Sequence, residues 1–465
     1  MPADRYDTLV IGAGLSGLAA GIRLAQFGQR VAVLERHYLW GGLNSFFKRR
    51  GRRLDVGLHA LTNFVQKGDP SRPLNRVLRQ LRLRRGDLQL GEQRESWVVF
   101  PQTRLRFSND FELLRSEVHA AFPDQAEGFD RLAADILALE HGITEPTTPS
   151  RKILGSYIDD PLLVDMLLHP ILWYGSPTPD DVEWPSFVVL WKSLYEEGFA
   201  RPAGGVKPFL DALRSRYLEE GGELRMRQGV ADILHGPSGV RGVRLDDGTE
   251  LEADRVLSSA GWVETMRLCG GELADRHGEA EAGRMSFVET TTLLDRLPSD
   301  LGYEATIAFY NLAPGTLYAP PEGAVDVRSG VVCCPDNYEG QEPVKEGTFR
   351  VTVLANPDIW RTLPDEEYYA RKEAVWGETL DAVRTFAPDV RPHVTYTDVF
   401  TPRTIEHWTG HVNGAVYGSP EKRRDGRTPV PGLFLTGTDQ GYLGIVGALQ
   451  SGISMANLHG LLSPA

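Results

Sequence analysis

Residues 6–42 read YDTLVIGAGLSGLAAGIRLAQFGQRVAVLERHYLWGG, and this stretch decides the fold. Residues 6–11 are short, apolar and β-branched and stop at Gly12, the pattern of a buried strand. Residues 15–27 carry apolar side chains at helical spacing, with Gly28 just past the end. Residues 30–35 (RVAVLE) form a second short buried strand. Between the first strand and the helix, Gly12, Gly14 and Gly17 make a G-x-G-x-x-G turn. Gly12 permits the tight turn, Gly14 lets the backbone approach a pyrophosphate, and Gly17 lets the helix pack on the strand. The helix N-terminus at Leu15 and Ser16 then faces the phosphates. Glu35, followed by Arg36, closes the second strand 23 residues after Gly12, where an acid accepts a ribose hydroxyl. Strand, helix, strand and acid stand in order, which predicts a dinucleotide site at the start of the chain.

The rest of the chain sets bounds. At 465 residues, with 41% hydrophobic and 24% charged, it is globular, long enough for two to four domains, and neither disordered, collagen-like nor a disulfide scaffold. The three cysteines, Cys269, Cys333 and Cys334, make no framework, which points to a reducing, cytoplasmic compartment. The first residues show no signal peptide, and no apolar run is long enough to span a membrane. The net charge of −13 argues against nucleic acid as a partner. Against that background residues 48–106 hold 15 Lys and Arg against 5 Asp and Glu. Within them, residues 72–85 (RPLNRVLRQLRLRR) space Leu74, Val77, Leu78 and Leu81 helically among arginines. That segment, from Arg72 to Arg85, reads either as a peripheral membrane contact or as a packed helix with a solvated basic face. Residues 110–170 read as mostly helical, 207–220 as a helix followed by short strands, 285–400 as β-rich, and 447–461 as a final helix.

Further stretches carry a resemblance. Gly41 and Gly42 follow Glu35 in LERHYLWGG, and residues 432–452 read GLFLTGTDQGYLGIVGALQSG. The two together resemble the paired signatures of the amine-oxidase-like FAD superfamily, which makes FAD the cofactor. Residues 47–61 (FKRRGRRLDVGLHAL), 167–187 (LLHPILWYGSPTPDDVEWPSF) and 194–213 (LYEEGFARPAGGVKPFLDAL) are similar to phytoene desaturases, carotenoid isomerases and retinol saturases within it. The resemblance implies cofactor contacts at Gly437, at Asp439 near the ribityl chain or pyrophosphate, and at Gly447 beginning the last helix under the flavin. It also implies contacts at Val230 on the adenine and in the SSAG turn ending at Gly261. Leu43 stands where many members carry Arg after the glycine pair, removing a phosphate-facing cation.

The resemblance implies a discontinuous Rossmann-like FAD-binding domain (α/β) in three segments, 1–70, 201–265 and 405–465. A substrate domain of mixed β-sheet and helical cap is inserted at 71–200 and 266–404. The substrate implied is long, apolar and isoprenoid, with desaturation, saturation and isomerisation all open. A flavin amine oxidase and a non-catalytic prenyl-binding protein of the GDP-dissociation-inhibitor type are the alternatives. His59 and Tyr442 are the expected acid–base candidates, and Trp173, Tyr174, Tyr417 and His407 the expected tunnel residues, with His411 a lesser catalytic candidate. No ligand spacing supports a metal, and the lack of a second dinucleotide fingerprint argues against a dedicated NADPH domain.

Overall fold

The computed structural model describes residues 5–64, 69–139, 148–341 and 344–462. Two seven-stranded sheets organise it. In the first, strands Glu223–Met226, Val31–Glu35, Arg5–Ile11 and Glu250–Ser258 lie parallel, in that order. Leu433–Leu435 joins the far half of Glu250–Ser258, also in parallel, while Val230–Gly236 and Gly239–Leu245 lead into its near half as an antiparallel meander. Parallel strands are covered on both faces and so read as continuous apolar runs, as residues 6–11 and 30–35 do. Helix Leu15–Ala25 packs on the last helix, Gly444–Met455. A Cβ on Gly452 would lie 2.1 Å from the Ser16 carbonyl oxygen, so only glycine allows this approach.

The second sheet runs Val394–Phe400, Ser286–Leu294, Gly347–Ala355, Val325–Cys333, Ile307–Asn311, Ser96–Val99, Arg104–Phe107. All its pairings are antiparallel except that of Ile307–Asn311 with Ser96–Val99. Side chains alternate between its faces. Phe287, Leu354, Val331 and Phe309 meet a helical layer that includes Pro161–Gly175 and Trp184–Trp191. Val288, Val353, Val332 and Tyr310 meet helix Asp365–Val383. That 19-residue helix falls inside the stretch read as β-rich. Its buried Tyr368, Val375, Leu380 and Val383 sit one helical face apart, a spacing masked by the Thr-, Val- and Tyr-rich strands around it. The helical reading of 110–170 becomes Phe111–Ala121, Ala126–Ala138, Ser150–Leu154 and Pro161–Gly175, with 140–147 outside the described residues.

Two expectations change. Helix Pro73–Gln80 buries Leu74, Val77 and Leu78 in the same core as the fingerprint helix, and Leu81 beside them is equally buried. Its apolar face is spent on the protein's own interior, so residues 72–85 cannot insert that face into a bilayer; only the basic face reaches solvent. The last helix begins at Gly444, not Gly447. Gly441 turns the chain at φ +115°, Leu443 is extended, and the first helical residue follows directly. Among the described residues no helix is long and apolar enough to cross a membrane.

Candidate active site

A cavity of about 880 Å³ runs from the glycine-rich turn to the inner face of the second sheet. It lies near the upper end of the range for small-molecule sites, roughly 300–1,000 Å³. Gly12, Gly14, Leu15, Ser16, Glu35, Arg36, Gly41, Gly42, Leu43, Val230 and Gly437 all line it, as do His59, Trp173, Tyr174, Tyr417 and Tyr442.

At the dinucleotide end, Gly12 takes φ +94° and Gly14 caps the helix in extended conformation, with no side-chain cap and no acid in the first turn. The first amides of that helix are therefore without side-chain partners, which is what an anion at a helix N-terminus needs. A Cβ on Gly42 would come 3.3 Å from the Gly14 Cα, so bare backbone faces bare backbone across the cradle. Gly17 does not line the cavity; a Cβ there would lie 2.0 Å from the Gly12 carbonyl oxygen, so it serves the close packing of turn and helix. Glu35 accepts the Ala13 amide on one oxygen and the His37 amide on the other, both at 2.8 Å. A carboxylate has about four acceptor positions, so it can still receive ribose hydroxyls. The second helix N-terminus, at Gly444, also opens here without a side-chain cap or an acid.

Four expected contacts lie elsewhere. Asp439 does not line the cavity. Its carboxylate accepts the Trp262 amide at 2.6 Å and the Ser419 amide at 2.7 Å, tying three segments together beneath the site. Gly261 is displaced because its φ of +107° turns the chain into helix Trp262–Cys269, leaving Ser259 and Ala260 as the lining residues. Gly447 sits one turn inside the last helix, packed on Tyr442. His407 is exposed, and its carbonyl accepts the Arg36 guanidinium at 3.0 Å.

Beyond the dinucleotide end the walls become aromatic and aliphatic: Trp173, Tyr174, Phe287, Val331, Val416 and Tyr417. The Tyr174 hydroxyl donates to the Ala60 carbonyl at 2.9 Å and that of Tyr417 to the Trp173 carbonyl, and burial pushes both phenols up. They are walls held by their own hydroxyls. One polar patch interrupts them: His59, Glu289 and Thr352. His59 Nε2 stands 2.7 Å from Glu289 Oε2, and Arg350 Nε donates to Glu289 Oε1 at 2.9 Å. The sequence reading missed Glu289 and Arg350. The available signal was a single acid in FVETTTLL and a single base in FRVTVLA, each inside a run otherwise fit for a buried strand.

The other acids lining the cavity are also engaged. Glu264 accepts the Val412 amide at 2.7 Å and pairs with His411 at 3.8 Å, and Asp398 pairs with Arg49 at 3.5 Å.

A dinucleotide cradle opening onto a largely aromatic compartment is the arrangement of a cofactor-dependent oxidoreductase. The chain belongs to the flavin containing amine oxidoreductase family, whose sequence profile matches residues 15–458. The dinucleotide cradle makes the flavin FAD, and the enzyme is an FAD-dependent oxidoreductase. The chain is 23% identical to prolycopene isomerase 2 of an Oncidium hybrid cultivar, over 98% of this chain and 84% of that protein. It is 24% identical to the all-trans-retinol 13,14-reductase of Danio rerio, over 98% and 86%. Among solved structures, an oxidoreductase from Methanosarcina mazei superposes with a TM-score of 0.70 at 19% identity, covering 97% of this chain and 99% of that one.

Proposed function

We propose that the protein desaturates, saturates or isomerises a long apolar substrate of isoprenoid type. The observation that carries this is the compartment next to the cradle, whose walls are apolar side chains and tyrosines with their hydroxyls already bonded. The relatives named above act on prolycopene and retinol by their names, and they align with 98% of this chain. FAD, when bound, supplies two-electron hydride transfer.

The chain's own residues do the rest. The N-terminus of helix Leu15–Ala25 and Glu35 hold the dinucleotide at pyrophosphate and ribose, with Arg36 and Val230 at the far end. The N-terminus at Gly444 favours negative charge where it opens on the cavity. Trp173, Tyr174 and Tyr417 align the substrate and exclude water. His59 is the acid–base group, and Tyr442 is a wall residue of the same cavity.

An amine substrate is the weaker reading. Of the acids lining the cavity, Glu264, Glu289 and Asp398 are each already paired with a basic side chain that an ammonium would have to displace, and Glu35 stands at the dinucleotide end. The domain division read from the sequence is part of the proposal: strands of the first sheet fall within 1–70, 201–265 and 405–465 and strands of the second within 71–200 and 266–404, whereas helix Pro73–Gln80, within 71–200, packs in the core of the fingerprint helix. Contact with an anionic membrane, if made through residues 72–85, is electrostatic only. Neither nucleic acid nor an NADPH domain of its own enters the proposal, and the compartment proposed is cytoplasmic.

The test is anaerobic titration of the FAD-loaded protein with a C40 polyene, a C30 polyene, retinol and a polyamine, following the flavin absorbance. Bleaching by a polyene or retinol supports dehydrogenation of an apolar substrate. Bleaching by the polyamine alone overturns it. Turnover of a polyene only by reduced enzyme assigns saturation or isomerisation.

A further inference from the structure

The polar patch in the otherwise apolar compartment has an order to it. Glu289 and Arg350 lie on adjacent antiparallel strands, Ser286–Leu294 and Gly347–Ala355, and both are buried. Arg350 donates to Glu289 Oε1, and to the carbonyls of Val56 and Leu58, the latter at 3.0 Å. It therefore grips the backbone on both sides of Gly57 while neutralising the acid. Glu289 Oε2 accepts the Thr352 hydroxyl at 2.9 Å and faces His59 Nε2 at 2.7 Å.

The charge states follow from this packing. Burial opposes ionisation of Glu289, but the Arg350 guanidinium and the hydrogen bond with His59 outweigh it and lower its pKa. Burial lowers the His59 pKa; Glu289 opposes this, and Arg350 and Arg201 reinforce it. The Thr352 hydroxyl also lies 3.4 Å from Nε2, but its proton goes to Glu289, and the remaining groups against this loop contact the backbone or each other. Arg201 pairs with Asp55 and donates to Leu58, while the Tyr338 hydroxyl and the Cys333 thiol point at the His59 carbonyl. A neutral imidazole beside a carboxylate keeps its proton on the nitrogen that faces it, here Nε2. Nδ1 has no hydrogen-bond partner among the described residues and is not one of the enclosed polar atoms, and His59 lines the cavity.

We propose that Glu289, kept ionised by Arg350, is the positioning residue that fixes His59 as the Nε2–H tautomer and so presents Nδ1 to the substrate as proton acceptor. This rests on the reading of His59 as the acid–base group. The step is a proton transfer. A substrate C–H bond breaks, its electron pair stays on the substrate to become part of the new double bond, and the proton forms the Nδ1–H bond. The hydride lost from the neighbouring carbon is the two-electron equivalent that bound FAD would take up, so charge and electrons would balance. Glu289 then faces an imidazolium and stabilises it. In saturation the same proton travels the other way.

The experiment is ¹⁵N NMR of the FAD-loaded protein labelled at histidine, with His59→Gln identifying the His59 signals. The wild type is expected to show protonated Nε2 and bare Nδ1 between pH 6 and 8. In Glu289→Gln, Arg350 can only donate and so claims the amide oxygen. The amide NH₂ then faces His59 Nε2, and the ring is expected to invert to Nδ1–H. Flavin reduction by any polyene that bleaches the wild type is expected to fall about 100-fold or more, at unchanged FAD content, and Glu289→Asp is expected to restore part of it. Nδ1–H in the wild type overturns the proposal even if Glu289→Gln fails to fold, and so does an unchanged tautomer in that variant. An unchanged reduction rate in His59→Gln instead overturns the acid–base reading beneath it, so the two fail separately.

Discussion

Gly205 and Asp55 meet so closely that a Cβ on the glycine would stand 2.4 Å from Asp55 Oδ2. That oxygen accepts the Val206 amide at 3.1 Å, capping helix Val206–Glu219 from another segment, and pairs with Arg201, itself 5% exposed. Asp55-Val56-Gly57 and Gly204-Gly205, in two of the stretches similar to phytoene desaturases, are thus two halves of one joint. Gly57 completes it, since a Cβ there would lie 2.3 Å from the Leu43 carbonyl oxygen.

Breaking this joint should cost stability before chemistry. Asp55→Ala leaves Arg201 buried without its partner, a loss of about 3–5 kcal/mol. Gly205→Ala adds a Cβ at φ +81° and pushes on Asp55, at least about 1–2 kcal/mol for the backbone conformation. Denaturant unfolding of the FAD-loaded protein checks both. Stability equal to wild type in Asp55→Ala would show that Arg201 is held by something else.

Glu35 bonds across the turn to Ala13 and along the chain to His37. Its replacement should therefore loosen the cradle as well as remove the ribose acceptor. Purified Glu35→Ala is expected to retain less than a tenth of the wild-type FAD per chain, and Gly14→Val essentially none. The absorbance ratio at 450 and 280 nm reads this directly. Yellow protein from both would mean that the cofactor is held from elsewhere.

What was legible in the sequence was local. The turn glycines, Glu35 and the flanking strands announce themselves because their geometry is set within a few residues. Asp439 is ambiguous in the sequence because a Gly-x-Asp pattern looks the same whether the acid faces a ligand or caps Trp262 and Ser419 from below, as it does here. Glu289 and Arg350 were illegible because their pairing needs two strands brought side by side from 61 residues apart. His59 was legible as a residue but not as a base, since its tautomer is decided by that distant pair.

The basic segment makes a prediction about salt. Arg76 and Arg79 are exposed on helix Pro73–Gln80, while its apolar residues are buried in the core. Any binding to vesicles containing anionic lipid should therefore be screened away as the Debye length drops from about 10 Å at 0.1 M salt to about 3 Å at 1 M. Arg76→Glu with Arg79→Glu should weaken it severalfold at low salt and leave the unfolding midpoint nearly unchanged. Binding that survives 1 M salt would require an inserted apolar surface other than this helix.

The His411–Glu264 pair sets a pH window. Burial disfavours the charged His411 imidazolium, but Glu264 overcomes it and raises the pKa above 6.5, with Asp439 adding and Arg36 subtracting. Burial likewise opposes ionisation of Glu264, yet His411 and the Val412 amide lower its pKa below 4.5. A raised histidine stabilises the fold fully below its unfolded pKa, and the gain is lost as pH climbs through the folded value. A lowered glutamate stabilises above its unfolded pKa, and the gain is lost as pH falls through the folded value. The pair therefore contributes most between about pH 4.5 and 6.5, on the order of 1 kcal/mol for a partly buried pair. His411→Gln should lower the unfolding free energy most near pH 5.5, and the gap to wild type should close above neutrality. A gap that stays constant from pH 5 to pH 9 would mean that His411 is neutral in the folded protein and contributes only its packing between Glu264 and Arg36.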